Sequence, residues 1–143
     1  MAHEPAAENR RGLRDGTLDA IATDHAPHSE EDKADFYRAP NGSIGMETAL
    51  SACYTALVKP GYLTLPELIA KMSLNPARLL KLPGGTLRAG GPADFALFDE
   101  NRRWTVDRDR LHGRSKNTPF HGMSLSGKVV MTVCRGEIVY QDG

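Results

Sequence analysis

One short stretch of the chain concentrates side chains that can do chemistry. The hexapeptide Thr23-Asp24-His25-Ala26-Pro27-His28 brings a carboxylate and two imidazoles close together. Pro27 prevents a regular helix here, because its ring removes a backbone donor and clashes with the preceding turn. A loop lets Asp24 and His28 face one spot without helical register. Asp24 could then bind a divalent metal through one oxygen and accept a proton with the other, while His28 donates to an anionic group.

The spacing alone leaves a plainer alternative open. A lone pair of aspartate and histidine is a weak signal. The aspartate could simply cap a turn, with the histidines at the surface. The elements around the hexapeptide therefore matter for the interpretation.

The segment before the hexapeptide is expected to position Asp24. Residues 18–22 form an apolar run that predicts a buried strand, and α/β barrels place their chemistry directly after such strands. Residues 29–39 are mostly charged, which is typical of a solvated loop. The residues Asn41-Gly42-Ser43 then predict a turn.

Helices are predicted after that turn. Residues 44–58 and 65–72 carry apolar side chains near helical spacing, and Thr64-Leu65-Pro66-Glu67 has the residues of a helix start. Asn75 is predicted to cap a third helix that runs through Leu80.

The character of the sequence changes at Thr86. Residues 93–98 and 102–106 have the composition of strands, and residues 128–134 and 137–140 predict a hairpin joined at Arg135-Gly136. The chain is thus expected to comprise a loose polar arm (1–11), a strand-and-helix segment (12–84) and a small β segment (85–143). Within the β segment, Trp104 is interpreted as a packing residue, and His112 and His121 as ordinary loop residues.

The composition is that of a globular protein with no marked charge. Charged residues make up 25% of the chain and the formal net charge is zero, so electrostatics gives no reason to expect a nucleic-acid or membrane partner. Cys53 and Cys134 are far apart and fit free thiols. No stretch approaches the ~20 apolar residues of a membrane span, and the first residues lack the apolar region of a signal peptide. We therefore expect a cytoplasmic protein.

Residues 19–28 closely resemble the last-strand signature of the dihydroorotases of the amidohydrolase superfamily. The resemblance continues at residues 39–49, which look like the substrate loop and helix start of that family. It extends through further segments and covers nearly the whole chain, from about residue 12 to 143. These segments are residues 73–77, 85–90, 93–95, 116–120 and 136–140.

The resemblance implies roles for individual residues. Asp24 matches the aspartate that contacts the catalytic zinc and acts as acid and base, and His28 matches a histidine that binds the substrate carboxylate. Asn41 and Gly42 match a loop pair whose backbone touches the substrate ring, although the family often has an apolar or aromatic residue in place of Asn41. His25 matches a histidine without a ligand role. The implied reaction is the reversible, zinc-dependent conversion of N-carbamoyl-L-aspartate to dihydroorotate in pyrimidine biosynthesis.

The resemblance also shows what the chain lacks. The family takes its other zinc ligands from earlier strands, namely a His-x-His pair, a bridging lysine or aspartate and two further histidines, whereas Asp24 supplies one ligand. Catalytic zinc takes about three protein ligands plus water, and a barrel takes ~250 residues. We therefore expect an α/β chain with a partial TIM barrel (its last strand and helices) and a small C-terminal β-sandwich segment. Such a C-terminal third is expected to be inactive alone, and to self-associate or bind a chain that supplies the upstream barrel.

Two other functions remain open at this point. One is an inactive dihydroorotase-like subunit or interaction module, for example beside a transcarbamoylase; the missing ligands favour it, and the intact Asp24 and His28 count against it. The other is a related cyclic amidohydrolase such as a hydantoinase or allantoinase.

Overall fold

The computed structural model describes residues 5–142. Within these residues, five α-helices precede three β-strands in chain order. The helices are α1 (Pro5–Asp15), α2 (Glu30–Lys33), α3 (Ala49–Cys53), α4 (Leu65–Ile69) and α5 (Asn75–Leu79). The strands are β1 (Phe95–Thr105), β2 (Ser124–Cys134) and β3 (Glu137–Gln141). The π-helical turns Tyr54–Val58 and Ala70–Leu74 continue α3 and α4, and a 3₁₀ turn (Arg108–Arg110) follows β1.

One cluster of buried side chains lies among the helices, and further buried side chains such as Val106 and Leu125 lie in the β segment. Leu68 is fully buried, and it forms one cluster with four other buried side chains. Each such side chain contributes about 1.5–3 kcal/mol by leaving water. Ile21 and Phe98 pack against this cluster from the segment before the hexapeptide and from β1. The other four members are Leu13, Tyr54, Leu57 and Leu63.

The predicted start of α4 is confirmed. The Thr64 side chain accepts a hydrogen bond from the Glu67 backbone N–H, and the Glu67 carboxylate accepts one from the Thr64 N–H. This reciprocal pair satisfies two backbone donors that a helix start otherwise leaves open.

The predicted third helix is present as α5 (Asn75–Leu79), but the predicted cap at Asn75 is wrong, because α5 continues the preceding helical turn without a break. Residues 65–79 form one helical run, in which the π turn Ala70–Leu74 ends two residues before Pro76. A π turn shifts the backbone hydrogen bonds by one residue, so the run accommodates a proline that lacks an N–H. The Asn75 side chain instead donates to the carbonyl of Asp19 across 2.8 Å.

The predicted loose arm is also wrong where the structure describes it, since residues 5–11 belong to α1; residues 1–4, with His3, lie outside the described part. Leu13 is the buried leucine of this helix. Arg10 lies 5.0 Å from the centre of the Tyr62 ring, a distance at which a cation is attracted to an aromatic face. A helix with one buried leucine leaves no periodic pattern in the sequence.

Residues 18–22, predicted as a strand, are not paired with a strand in the described part of the chain. The helical run 65–79 holds this segment instead. The Lys71 ammonium donates to the Leu18 carbonyl across 2.7 Å, and the Ile21 N–H donates to the Lys71 carbonyl across 3.0 Å. A strand requires a neighbouring strand, and residues 5–142 offer none at this place.

The β segment forms one antiparallel sheet in the order β1-β2-β3. Its predicted hairpin is confirmed: Arg135 and Gly136 both have positive φ, 53° and 82°, as a tight turn between twisted strands requires. The two strands predicted over 93–98 and 102–106 form one strand with a register shift between Asp99 and Arg103. Residues 5–142 form no second sheet that would complete a sandwich.

The sheet packs against α3 and the π turn that follows it. The Trp104 indole N–H lies 3.3 Å from the Ser51 hydroxyl and 3.1 Å from the Gly127 carbonyl. The rings of Tyr54 and Phe98 meet edge to face at 5.3 Å. Trp104 is therefore a packing residue, as expected from the sequence, but it packs between helix and sheet and not within the β segment alone.

The sequence predicts two free cysteine thiols and no membrane span. Cys53 is half-buried and Cys134 is exposed, and both are free thiols, as predicted. None of the helices within residues 5–142 is long and apolar enough to cross a bilayer.

Candidate active site

The hexapeptide presents Asp24 on an exposed, sharply turned backbone. Asp24 has φ 46°, a left-handed conformation that aspartate tolerates better than most residues. Its side chain is exposed and makes no hydrogen bond or ion pair within residues 5–142. The carboxylate is therefore free to take a proton or to bind a ligand from outside this chain.

His25 ties the hexapeptide to the segment that leads into α3. Its Nδ1 lies 3.1 Å from the Gly45 nitrogen and 3.4 Å from the Met46 nitrogen. Because both backbone groups donate, Nδ1 acts as the acceptor and carries no proton in this arrangement. His25 thus has a structural contact here, and its Nδ1 is not available as a ligand.

His28 and Asn41, both singled out from the sequence, lie together. The His28 Nε2 is 3.1 Å from the Asn41 carbonyl oxygen. A carbonyl can only accept, so Nε2 carries the proton and donates. The His28 ring is therefore aligned by the very loop that was predicted to contact substrate.

Gly42 is required by the close approach of two segments. It has φ 118°, and a Cβ at this position would lie 2.5 Å from the Cβ of Ala26. The Ala26 N–H donates to the Ser43 carbonyl across 2.9 Å, within a parallel bridge between His25 and Ser43. The loop 40–42 is thereby held directly beside the hexapeptide.

Ser115 and Asn117 complete this site, and no role was assigned to them from the sequence. The Ser115 hydroxyl accepts from the His28 backbone N–H across 3.2 Å and lies 2.7 Å from the His28 carbonyl. The Asn117 side-chain nitrogen donates to the carbonyls of Gly42 (3.1 Å) and Ala26 (3.4 Å). Asn117 falls in the segment 116–120 that carries part of the family resemblance. That resemblance was the one sequence feature that could have pointed to a role for Asn117.

His112 has a larger role than the ordinary loop residue expected from the sequence. The Glu47 carboxylate accepts from the His112 backbone N–H (3.0 Å) and from the Gly113 N–H (3.1 Å), and it lies 2.9 Å from the His112 Nδ1. Burial raises the pKa of Glu47, but these hydrogen bonds outweigh burial and hold the pKa below its ordinary value. By contrast, His121 only accepts from a backbone N–H at Arg108.

A cleft of about 230 Å³ lies between the hexapeptide, the segment before α3 and the loop after the 3₁₀ turn. His25, Glu47 and Arg114 are among its lining residues, whereas Asp24, His28 and Gly42 are not. The free carboxylate and the substrate loop therefore lie outside this cleft.

The described residues do not fit a complete zinc site. Within residues 5–142 no three His, Cys, Asp or Glu side chains are grouped so that they could hold a metal ion. Asp24 offers one free carboxylate, His28 Nε2 already donates to a carbonyl, and His25 Nδ1 already accepts from backbone. Catalytic zinc takes about three protein ligands, so no metal-dependent step follows from this chain by itself.

Curated proteins similar to this chain are named dihydroorotase. The protein from Syntrophus aciditrophicus is 54% identical over 134 residues, which cover 93% of this chain and 31% of that protein. The protein from Anaeromyxobacter sp. (strain K) is 49% identical over 135 residues, with 94% and 31% covered. The chain thus spans about a third of the length of these curated relatives. They confirm the resemblance to dihydroorotases that residues 19–28 indicated.

Solved structures of hydantoinases share the fold. The L-hydantoinase (dihydropyrimidinase) from Arthrobacter aurescens matches with a TM-score of 0.88 and 34% identity, over 96% of this chain and 32% of that one. A D-hydantoinase from Thermus sp. matches with a TM-score of 0.85 and 27% identity, over 95% and 31%. The sequence profile of the amidohydrolase family matches residues 5–139. With nearly its whole length matched in this way, the chain belongs to the amidohydrolase family.

Proposed function

We propose that this chain is the part of a zinc-dependent dihydroorotase that supplies the acid/base aspartate and the substrate loop. The observation that carries the proposal is the 54% identity with a dihydroorotase across 93% of the chain. The geometry supports it, because a free Asp24 carboxylate lies in the same hexapeptide as His28, which is hydrogen-bonded to the loop 40–42. The reaction would be the reversible ring closure of N-carbamoyl-L-aspartate to dihydroorotate.

Asp24 would move the proton in this reaction. In ring closure the carbamoyl nitrogen forms a bond to a carboxyl carbon and loses a proton. One oxygen of that carboxyl group leaves as water after it takes up this proton and a second one from solution. A carboxylate that is free of protein partners can accept the proton and return it to the departing oxygen. In the reverse direction the same carboxylate would take a proton from water and give it to the ring nitrogen.

The other residues would bind the substrate. His28 would bind the substrate carboxylate through an imidazole N–H and so orient the reacting groups; because its Nε2 proton is engaged by the Asn41 carbonyl here, this role requires Nε2 to turn to the substrate or Nδ1 to carry a proton as well. Asn41 and Gly42 would contact the ring through their backbone, and a backbone contact tolerates the unusual Asn41 side chain. None of these roles depends on a closed pocket within this chain.

The remaining parts of the site would come from other polypeptide. In this proposal residues 18–22 are the last strand of a TIM barrel, whose backbone groups pair with upstream strands. Those strands would also bring the zinc ligands that accompany Asp24. The partner would be a chain or segment that supplies the upstream barrel.

The test compares the chain alone with a mixture that contains an upstream barrel fragment. Zinc content and cyclisation of N-carbamoyl-L-aspartate are measured in both samples. Activity is expected only in the mixture, and Asp24→Asn in the mixture is expected to abolish it. Asp19→Asn is the matched control, because Asp19 is exposed and its side chain has no partner in the described part of the chain. A mixture with neither zinc nor activity would instead favour an inactive interaction module.

A second candidate function is hydrolysis of a different cyclic amide. The 34% identity with an L-hydantoinase over 96% of the chain favours it, but less than the higher identity favours a dihydroorotase. The same mixture, supplied with hydantoin, allantoin or dihydroorotate, separates the two. Turnover of hydantoin or allantoin without turnover of dihydroorotate would establish the second candidate.

A further inference from the structure

Within the described part of the chain, both side-chain hydrogen bonds of Lys33 go to the loop 40–42. Lys33 is the last residue of α2, a short helix whose start is capped by Ser29 and Asp32. Its ammonium lies 2.5 Å from the Pro40 carbonyl oxygen and 2.9 Å from the Gly42 carbonyl oxygen. Lys33 thus bridges the two carbonyls on either side of Asn41.

The three consecutive carbonyls of this loop are all occupied by donors. Lys33 binds those of Pro40 and Gly42, His28 binds that of Asn41, and Asn117 adds a second donor at Gly42. Hydrogen bonds to a charged group are shorter and stronger than neutral ones. The conformation of the loop is therefore fixed from its carbonyl side.

The backbone N–H groups of the same loop, unlike its carbonyls, have no hydrogen-bond partner among the described residues. Within residues 5–142 the backbone N–H groups of Asn41 and Gly42 donate to no protein group, and both residues are exposed. When a donor engages the carbonyl of a peptide unit, the N–H of that unit becomes a better donor. Lys33 engages the peptide unit that contains the Asn41 N–H, and His28 engages the one that contains the Gly42 N–H.

The geometry points to Lys33 as a positioning residue for the substrate. By holding the carbonyls of Pro40 and Gly42, it keeps the N–H groups of Asn41 and Gly42 fixed and available to an acceptor oxygen. The ligand class is a small molecule with a carboxylate or ring-carbonyl oxygen. The inference rests on the proposed function and adds to it a residue that does not itself touch the substrate.

The first part of the test uses the mixture of the chain with the upstream barrel fragment. Lys33→Met keeps the length of the side chain but removes its donors. We expect it to raise KM for N-carbamoyl-L-aspartate about tenfold, as for a lost hydrogen bond of a charged group, with kcat within about threefold. Lys33→Arg is expected to restore KM, because a guanidinium can donate to two carbonyls. Lys59→Met is the matched control, since Lys59 is exposed and remote in sequence.

The second part needs no substrate and separates this inference from the proposed function. Arg38, whose side chain is 89% exposed, offers trypsin a cleavage site just before the loop. We expect Lys33→Met to speed cleavage between Arg38 and Ala39 about tenfold in the chain alone, since a fixed loop resists a protease. Lys33→Arg and Lys59→Met are expected to leave this rate unchanged.

The outcomes are distinct. If the wild-type mixture is inactive, the proposed function fails, and the cleavage rate still decides whether Lys33 holds the loop. An unchanged cleavage rate in Lys33→Met overturns the inference. Two other results would also overturn it. One is faster cleavage with an unchanged KM; the other is a fall in kcat as large as the rise in KM that Lys33→Arg does not restore.

Discussion

The Asn117 side chain donates to the carbonyl of Gly42 across 3.1 Å, although 75 positions separate the two residues. The same nitrogen reaches the Ala26 carbonyl at 3.4 Å. One amide therefore joins the hexapeptide to the substrate loop, and it comes from the connection between β1 and β2. The candidate site is thus assembled from both the helical and the β segments of the chain.

Replacement of Asn117 by alanine is predicted to loosen this assembly. The carbonyls of Gly42 and Ala26 would both lose a donor, which corresponds to about 1–3 kcal/mol of the free energy of unfolding. Urea denaturation followed by circular dichroism measures the change. Asn101→Ala is the control, because Asn101 is exposed and its side chain has no partner in the described part of the chain. Equal stability of the two variants would contradict the role of Asn117.

Replacement of Gly42 by alanine is predicted to destabilise the chain more than the same change at Gly61. Both glycines have positive φ, 118° and 81°, so both substitutions carry the backbone penalty of about 1–2 kcal/mol for a left-handed residue. Only at Gly42 would the new Cβ overlap another atom, at 2.5 Å from Ala26, whereas Gly61 has open space. Denaturation of both variants measures how much each loses in free energy of unfolding. Equal losses would show that Gly42 and Ala26 do not approach each other this closely.

Acid is predicted to weaken the contact between Glu47 and His112. The pKa of Glu47 is lower in the folded chain than its ordinary value of 4.5. A carboxyl group with a lowered folded pKa stabilises the fold above the unfolded pKa, and this contribution disappears as pH falls through the folded pKa. The free energy of unfolding should therefore drop below about pH 4.5 more steeply in the wild type than in Glu47→Gln.

The control for this pH series is Glu137→Gln, a change at an exposed residue of the β2–β3 hairpin. Its stability should keep the pH dependence of the wild type. If Glu47→Gln and the wild type follow the same curve between pH 3 and 6, the hydrogen bonds to His112 and Gly113 contribute no pH-dependent stability.

The chain alone is predicted to self-associate. The N–H groups of Ala20 and Ala22 have no acceptor within residues 5–142, so this extended segment can pair with another chain. Leu80 and Leu87, 69% and 75% exposed, add apolar surface of the kind that promotes association. Sedimentation velocity over a concentration series should show oligomers.

One substitution probes the pairing edge directly. Ala20→Pro removes an N–H that no described group accepts, and proline is excluded from paired strand positions. It should reduce association, while Ala20→Val should not. A wild-type chain that remains a monodisperse monomer and melts cooperatively would refute the prediction.

Features whose partners are close in sequence were predictable. The helix start at Thr64 and Glu67 involves residues three positions apart, and the hairpin turn involves the neighbours Arg135 and Gly136. Their conformations depend on local sterics and local hydrogen bonds, which residue type alone largely determines. The roles of Asp24 and His28 were suggested by residue type and remain predictions.

Features that depend on distant partners were missed or mistaken. The predicted strand over 18–22 lacks a neighbouring strand, and Asn75 does not cap α5, because a π turn joins that helix to α4. The contact of His112 with Glu47 spans 65 positions. No periodicity or local propensity encodes such contacts, because they arise only when separate elements pack together.

Trp104 is the sole tryptophan of the chain. Its indole N–H donates to the Ser51 hydroxyl in the helical segment and to the Gly127 carbonyl in the β segment. Its fluorescence is therefore an intrinsic probe of whether these two segments remain packed against each other. If its emission changes before the helical circular dichroism is lost during unfolding, the sheet separates from the helices first. A coincident change would mean that the two halves come apart as one cooperative unit.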